Sequence, residues 1–303
     1  MKCNICNSLE TTFILRGSDS YMKVDKKNFN IYQCKKCKVT SLQPMPSEKE
    51  LEKYYPPNYK IFNQNIILNN SNSRNLIKLK NLIIKKLKMN TLGRTLEKFS
   101  NKEINYLDYG CGSGKNIIQL SLQYPNWKFF GYDKFNQNIN DVEKKKNVSF
   151  CSSSYLNDIP NNYFDVINLS SVIEHVIGPK DLILFLKKKL SKNGIIIIKT
   201  PNFNSLSRRI FGKYWHNLDI PRHLHIFSDN NLEKILYEME FTKIKIIYAR
   251  NSGVEVKSLY KFFNLKTRPK IHNILVNSLN PITLILSLLK LSSTFTIIAK
   301  KEV

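Results

Sequence analysis

The sequence is short of arginine, glycine and cysteine. Of its 303 residues, 8 are Arg against 40 Lys, 10 are Gly and 6 are Cys. So few glycines exclude a collagen-like or glycine-rich repetitive chain, and so few cysteines exclude a disulfide-dense secreted scaffold. A long unbroken apolar run is also missing. The stretch Ile274–Leu291 is interrupted by Asn277, Asn280 and Pro281, which leaves Ile282–Leu289 as its apolar centre. That is too short to span a bilayer, which takes about 20 residues. The first twenty residues lack the apolar run of a signal peptide, so a reducing cytoplasmic location is expected.

What is present is enough to fold. An apolar fraction of 42 % with 11 % aromatic residues supplies a core and excludes a wholly disordered chain. The net charge of +25 points first to nucleic acid. Its composition argues for a blander origin. Lysine, asparagine (36 residues) and isoleucine are what A/T-rich codons supply. Bidentate recognition of phosphate and guanine edges favours Arg instead. By region, residues 1–45 carry about +5, 46–105 about +7, 106–200 about +4 and 201–303 about +9. The excess therefore lies in the flanks.

Two CxxC pairs, Cys3/Cys6 and Cys34/Cys37, sit in the first 37 residues. Four thiolates at this spacing can close a tetrahedral zinc site, structural because no position stays open. A zinc ribbon is expected over 1–46. A helical linker region follows over 47–102. It opens on a capping box, Ser47-Glu48-Lys49-Glu50, whose helix Pro56-Pro57 stops, and holds an amphipathic helix over Leu76–Met89.

From Glu103 onward, β-like runs alternate with helical segments. The runs are Asn105–Tyr109, Lys128–Tyr132, Val148–Cys151, Phe164–Leu169 and Gly194–Lys199, with helices expected at Lys115–Tyr124, Asn138–Lys146 and Lys180–Leu190. Such alternation builds an α/β domain, a doubly wound parallel sheet with helices on both faces, over 103–303. Farther on, Asp229–Glu240 reads as a helix, while Lys243–Tyr248 and Thr294–Ala299 read as strands.

Leu107-Asp108-Tyr109-Gly110-Cys111-Gly112-Ser113-Gly114 lies between the first of these strands and its helix. Small residues there let the backbone approach a ligand at a helix N-terminus. The spacing GxGxG, with Lys115 where a dinucleotide fingerprint has glycine, sets it apart from that motif. Asp133 ends the next strand, where an acid can hold both ribose hydroxyls of an adenosine. Ser171-Val172-Ile173-Glu174-His175-Val176 follows the fourth run at the carboxyl end of the sheet. His175 there can be a general base, or can simply pack beneath a cofactor. In the stretch Trp215–His225, Arg222 can clamp an anion, Trp215 can stack on a ring and His223 can be a second base. A metal on His216, His223 and His225 is a further reading, although isolated histidines are more often structural.

At these residues the sequence resembles the class I S-adenosylmethionine-dependent methyltransferases. The glycine loop resembles their first motif, Asp133 their second, Tyr163–Ile167 their fourth strand, and Leu190–Gly194 the turn before their fifth. The resemblance covers about residues 103–300 and implies a Rossmann-like sheet, mostly parallel with an antiparallel last strand. It implies that Gly110, Gly112 and Gly114 cradle the methionine part of S-adenosylmethionine, with Asp108 holding its ammonium through water and Asp133 its ribose. Cys151-Ser152-Ser153-Ser154 departs from the family's Gly-Asp, and Ser153 or Ser154 replaces the adenine contact. The four-Cys ribbon, the Glu174-His175 pair and the stretch around Thr200-Pro201-Asn202, Phe211-Gly212 and Trp215–His225 are similar to a bacterial subgroup often found in surface-polysaccharide and other glycan pathways. That implies Glu174, His175 and His223 as catalytic residues. It implies Trp215, Arg222 and His225 as acceptor contacts, within an acceptor-site insertion over about 201–228.

The expected partner is a small-molecule or glycan acceptor, anionic in character and most consistent with a sugar. Alternatives are an RNA base methyltransferase, a quinone or lipid methyltransferase, and a non-catalytic binding protein, against which the intact loop and Asp133 count. A late apolar helix over about 274–292 either packs on the sheet or makes a peripheral contact with the inner face of a membrane.

Overall fold

The computed structural model describes residues 2–56, 95–135, 147–250, 252–266 and 268–302. The expected helices at Leu76–Met89 and Asn138–Lys146 lie outside the described residues.

The sheet is Rossmann-like. Its strands are β4 (Asn105–Tyr109), β5 (Lys128–Tyr132), β6 (Val148–Cys151), β7 (Phe164–Ser170), β8 (Leu190–Pro201), β10 (Phe241–Tyr248) and β11 (Thr294–Lys301), in the order β10-β11-β8-β7-β4-β5-β6. The four pairings from β6 to β8 are parallel, while β11 runs antiparallel to both β8 and β10. Helices α2 (Lys115–Gln123), α3 (Ser153–Asp158) and α4 (Pro179–Lys189) make the crossovers.

Side-chain alternation explains why both faces are covered. Tyr106, Val166, Ile197 and Ile298 feed one buried cluster. Their neighbours Leu107, Ile167, Ile196, Ile198 and Ile297 feed another on the opposite face. Strands buried on both sides read as continuous apolar runs, as Ile195–Ile198 does.

The N-terminal unit is a second, small sheet in the order β1-β2-β3-β9, built from β1 (Thr11–Ser18), β2 (Asn28–Cys34), β3 (Thr40–Gln43) and the two-residue β9 (His225–Ile226). Its fourth strand therefore comes from the 201–228 segment, where Thr40 pairs Ile226 and Ser41 pairs His225. A third apolar cluster joins the two parts: Phe29, Leu42, Leu51 and Tyr54 pack with Trp215, Leu218 and Leu224. The unit over 1–46 is thus built into the body of the protein. Helix α1 (Glu48–Glu52) begins with the expected capping box, Ser47 and Glu50 each satisfying the other's backbone amide.

Past the sheet centre lie α5 (Leu206–Phe211), α6 (Asp229–Glu238), α7 (Gly253–Phe262) and α8 (Pro269–Leu288). The last corrects the expectation that Asn277, Asn280 and Pro281 break the apolar stretch. The helix runs 20 residues with Pro281 inside it. Proline removes an amide donor from a helix interior, and here neighbouring polar groups take up backbone acceptors nearby: Ser252 Oγ donates to the carbonyl of Val276, 2.6 Å away.

Candidate functional site

A cavity of about 700 Å³ opens at the carboxyl ends of β4, β5, β6 and β7. This is the switch point of the sheet, where β4 has β5 on one side and β7 on the other, and where open α/β sheets bind ligands.

The glycine loop forms its floor. Gly110, Gly112 and Gly114 take φ values of 80°, 56° and 73°, the left-handed region that side chains resist. A Cβ on Gly110 would fall 2.3 Å from Val172 Cγ2. The loop is tied to the end of β5: the amides of Gly110 and Cys111 donate to the carbonyl of Tyr132 at 2.6 and 3.0 Å. Asp133 stands on the cavity wall and accepts from the amides of Gly112 (2.8 Å) and Phe135 (3.0 Å). These bonds fix the carboxylate where a ribose diol would meet it. Asp108 lies buried beneath the loop and accepts from Asn168 Nδ2 at 2.7 Å; burial raises its carboxyl to about 6. Ser153 is on the wall, beside Cys151 and Ser152. Ser154 is turned to Ser152, its hydroxyl 2.9 Å away. A backbone cradle that any Cβ would fill, a wall carboxylate and a buried counter-ion for an ammonium suit S-adenosylmethionine. Gly110, Gly112, Asp133 and Ser153 stand on the cavity wall, while Asp108, Gly114 and Ser154 do not.

Glu174 and His175 occupy a 3₁₀ turn directly after β7. His175 lines the cavity. Its Nδ1 lies 2.9 Å from the carbonyl of Arg222 and 2.9 Å from Tyr55 Oη. A carbonyl only accepts, so the ring proton belongs on Nδ1 and Nε2 keeps its lone pair. Burial, helped by His223 nearby, lowers the imidazole to about 3, so the ring is neutral at physiological pH. His223 is built alike: Nδ1 lies 2.7 Å from the carbonyl of Asn217, and the two rings sit 4.7 Å apart. Glu174 is fully buried, takes a bond from Thr200 Oγ1 at 3.0 Å, and leaves Oε1 without a partner among the described residues. Burial raises its carboxyl. Donor atoms of Glu174, His175 and His223 lie within 4.8 Å of one another, a cluster that can pass a proton or hold a cation.

The other members of the Trp215–His225 stretch are placed differently. Arg222 is wholly buried, with its guanidinium 2.7 Å from Asp19 and 2.8 Å from Asp219. Its charge is thereby neutralised inside the protein, and it is not on the cavity wall. Trp215 is also fully buried, in the cluster joining the two sheets. His225 is held by Ser41 Oγ at 2.8 Å and the carbonyl of Ile177 at 3.3 Å. These three residues join the N-terminal unit to the sheet domain. The His216, His223 and His225 grouping is not the one that forms.

The sequence reading missed the part of the wall made by the N-terminal segment. Glu48, Leu51 and Tyr55 line the cavity, and Tyr55 stacks on Phe135 at 4.4 Å with rings 6° apart. The available signal was the pair Tyr54-Tyr55 just before Pro56-Pro57, read only as the end of a helix.

The four cysteines come together as expected. Cys3 and Cys37 Sγ are 3.6 Å apart, Cys6 and Cys34 Sγ 3.5 Å, and no pair is a disulfide. A tetrahedral ion at about 2.3 Å from each sulfur would set them about 3.8 Å apart, so the cluster fits zinc.

A family model described as a methyltransferase domain matches residues 84–246, more than half of the chain. A ubiquinone biosynthesis O-methyltransferase of Rickettsia bellii is 29 % identical over 213 residues, covering 66 % of this chain and 82 % of that protein. An uncharacterized methyltransferase of Schizosaccharomyces pombe is 26 % identical over 135 residues; they make up 40 % of this chain and 48 % of that relative, so the chain spans about half its length. Among solved structures, a SAM-dependent methyltransferase from Archaeoglobus fulgidus matches with TM-score 0.47 and 21 % identity, over 73 % of this chain and 98 % of that one.

Proposed function

Since this chain belongs to the S-adenosylmethionine-dependent methyltransferase family, we propose that it transfers the methyl group to a hydroxyl of a small, uncharged ring acceptor, a glycan sugar or a quinone-type phenol. The observation that carries this reading is His175 on the cavity wall, neutral, with its ring proton held on Nδ1 by the carbonyl of Arg222.

The bound cofactor supplies an already electrophilic methyl group. The chain's own task is to hold the acceptor and remove its proton. His175 Nε2 takes that proton. The positive charge this creates lies beside Glu174, whose unpartnered Oε1 becomes favourable to ionise, and His223 completes the relay. Tyr55 orients the imidazole from the N-terminal side, and its ring with that of Phe135 keeps water from the wall.

Among the described residues, the basic flanks contribute no Lys or Arg to the cavity wall. That wall carries Glu48 and Asp133 against Lys134, and Lys134 is paired with Glu48 at 2.6 Å. That supports an uncharged acceptor over RNA. The ubiquinone O-methylation for which the Rickettsia relative is named favours the quinone arm, and the glycan arm rests on the ribbon-bearing subgroup that the sequence resembles. The four cysteines we read as a structural zinc site.

The test is turnover and cofactor affinity measured together. His175→Ala should keep cofactor binding within a few-fold by calorimetry and lose about 10²–10⁴-fold in turnover. Full activity in that variant would remove the base from His175. Turnover on a catechol or on an uncharged glycoside then decides the acceptor.

A further inference from the structure

Helix α8 turns an apolar stripe outward. Its outward residues are Ile271, Ile274, Ile282, Ile285 and Leu288, all 43–70 % exposed. At 100° per residue these positions form one stripe along the helix. The face turned to the protein is mixed, with Leu286 buried there beside polar residues. Thr283 and Ser287 are buried, Thr283 Oγ1 donates to the carbonyl of Arg250 at 3.1 Å, and Asn280 Oδ1 meets Ser252 Oγ at 3.1 Å. The hydrophobic effect favours covering such a stripe, and among the described residues nothing covers it.

The surrounding charge says what kind of surface it is. Lys257, Lys266, Arg268, Lys270 and Lys290 flank the helix and are exposed. Between 250 and 293 the sequence holds one acid, Glu255, which points inward to Ser293 Oγ at 2.6 Å. Exposed Phe262, Phe263 and Leu265 lead into the helix. Its far end is anchored at the catalytic edge of the sheet, where the amide of Asn202, just past β8, donates to the carbonyl of Ser293 at 2.9 Å.

We propose that the outer face of α8 is an interfacial docking surface for an anionic lipid bilayer, with the stripe embedded at the headgroup boundary and the Lys/Arg rim on lipid phosphates. Among the described residues α8 is the helix long and apolar enough to cross a membrane. Lying flat is what its inner face requires, because crossing would strip Asn280 and Thr283 of their partners. Docked this way, the enzyme would meet an acceptor carried on a lipid without extracting it fully into water. The surface is independent of which residue acts as base, so its test stands apart from that of the proposed function.

The experiment is flotation of the full-length protein with vesicles of phosphatidylcholine alone or mixed with phosphatidylglycerol. The protein should float with the anionic vesicles, more weakly with the neutral ones, and release with salt. Replacing Lys266, Arg268 and Lys270 by Gln should weaken anionic binding about a hundredfold. The pair Ile274→Gln and Ile285→Gln should abolish it while cofactor binding and thermal unfolding stay as in the wild type. If the apolar pair fails to fold, the Lys/Arg variant decides alone. Failure of the wild type to float, or unchanged flotation of either variant, overturns the proposal. So does a wild-type dimer in sedimentation that the Ile variant makes monomeric, which would assign the stripe to a second copy of the chain.

Discussion

Tyr55 Oη lies 2.9 Å from Nδ1 of His175, a residue 120 positions later in the chain. The contact makes the N-terminal segment part of the catalytic wall. Tyr55→Phe removes one of two partners of Nδ1 and leaves the carbonyl of Arg222. Turnover should fall about tenfold while cofactor affinity is unchanged. Kinetics that separate kcat from cofactor binding check this, and a loss in binding alone would assign Tyr55 to the cofactor.

Arg222 is the buried cation between Asp19 and Asp219. Removing it strands two carboxylates, so Arg222→Met should cost about 3–5 kcal/mol in urea unfolding. The pH dependence has a definite sign. Burial alone would raise the carboxyl of Asp219, but His223 and Arg222 overcome that and hold it at about 2. A depressed acid stabilises above its unfolded value. This contribution should therefore be lost as pH falls from about 4 to 2, and should be absent from acid titrations of the variant.

Asp108 has the opposite displacement. Burial holds its carboxyl at about 6, so in the free protein it is part protonated near that pH. An ammonium ligand prefers the carboxylate. Cofactor affinity should fall as pH drops below about 6, approaching tenfold per pH unit. Calorimetry from neutral to mildly acidic pH should show the decline in the wild type. Asp108→Asn should bind weakly at every pH, without the step.

Gly110 is constrained twice, by its φ of 80° and by Val172. Gly110→Ala should lose cofactor binding by at least about tenfold. Adding Val172→Ala relieves the clash but not the backbone strain, so recovery should be partial. Full recovery would show that only the contact mattered.

Metal analysis of the purified protein should find one zinc per chain on the four cysteines. Cys34→Ser or strong chelation should lower thermal stability, because the ribbon cannot close without its metal. The loss should extend to the catalytic wall, since Glu48 and Tyr55 are held through that unit.

What was legible in the sequence was local. The CxxC pairs, the capping box at Ser47, the glycine loop and strands β4 to β7 are each specified by residues within a few positions and appear where expected, while β8 begins earlier, at Leu190, where a turn was expected. The roles of Trp215, Arg222 and His225 were not legible, because their partners are remote. Asp19 is 203 positions from Arg222, and Ser41 is 184 from His225. The chemistry of a loop arginine beside histidines fits an anion clamp as well as a buried strut; only the distant aspartate separates the two. The same limit hid the outward stripe of α8. An apolar stripe in a sequence reports that a face must be covered, not whether the protein itself covers it.

The pairing of β3 with β9 also has a consequence for synthesis. Residues 1–43 leave the ribosome first, yet the edge of β3 at Ser41 finds its partner only when His225 emerges, 184 residues afterwards. At typical elongation rates that interval is roughly 10 to 40 s. For that time the nascent ribbon presents an unpaired strand edge, the kind of surface that invites wrong pairing. A fragment cut after β3 would carry that open edge permanently.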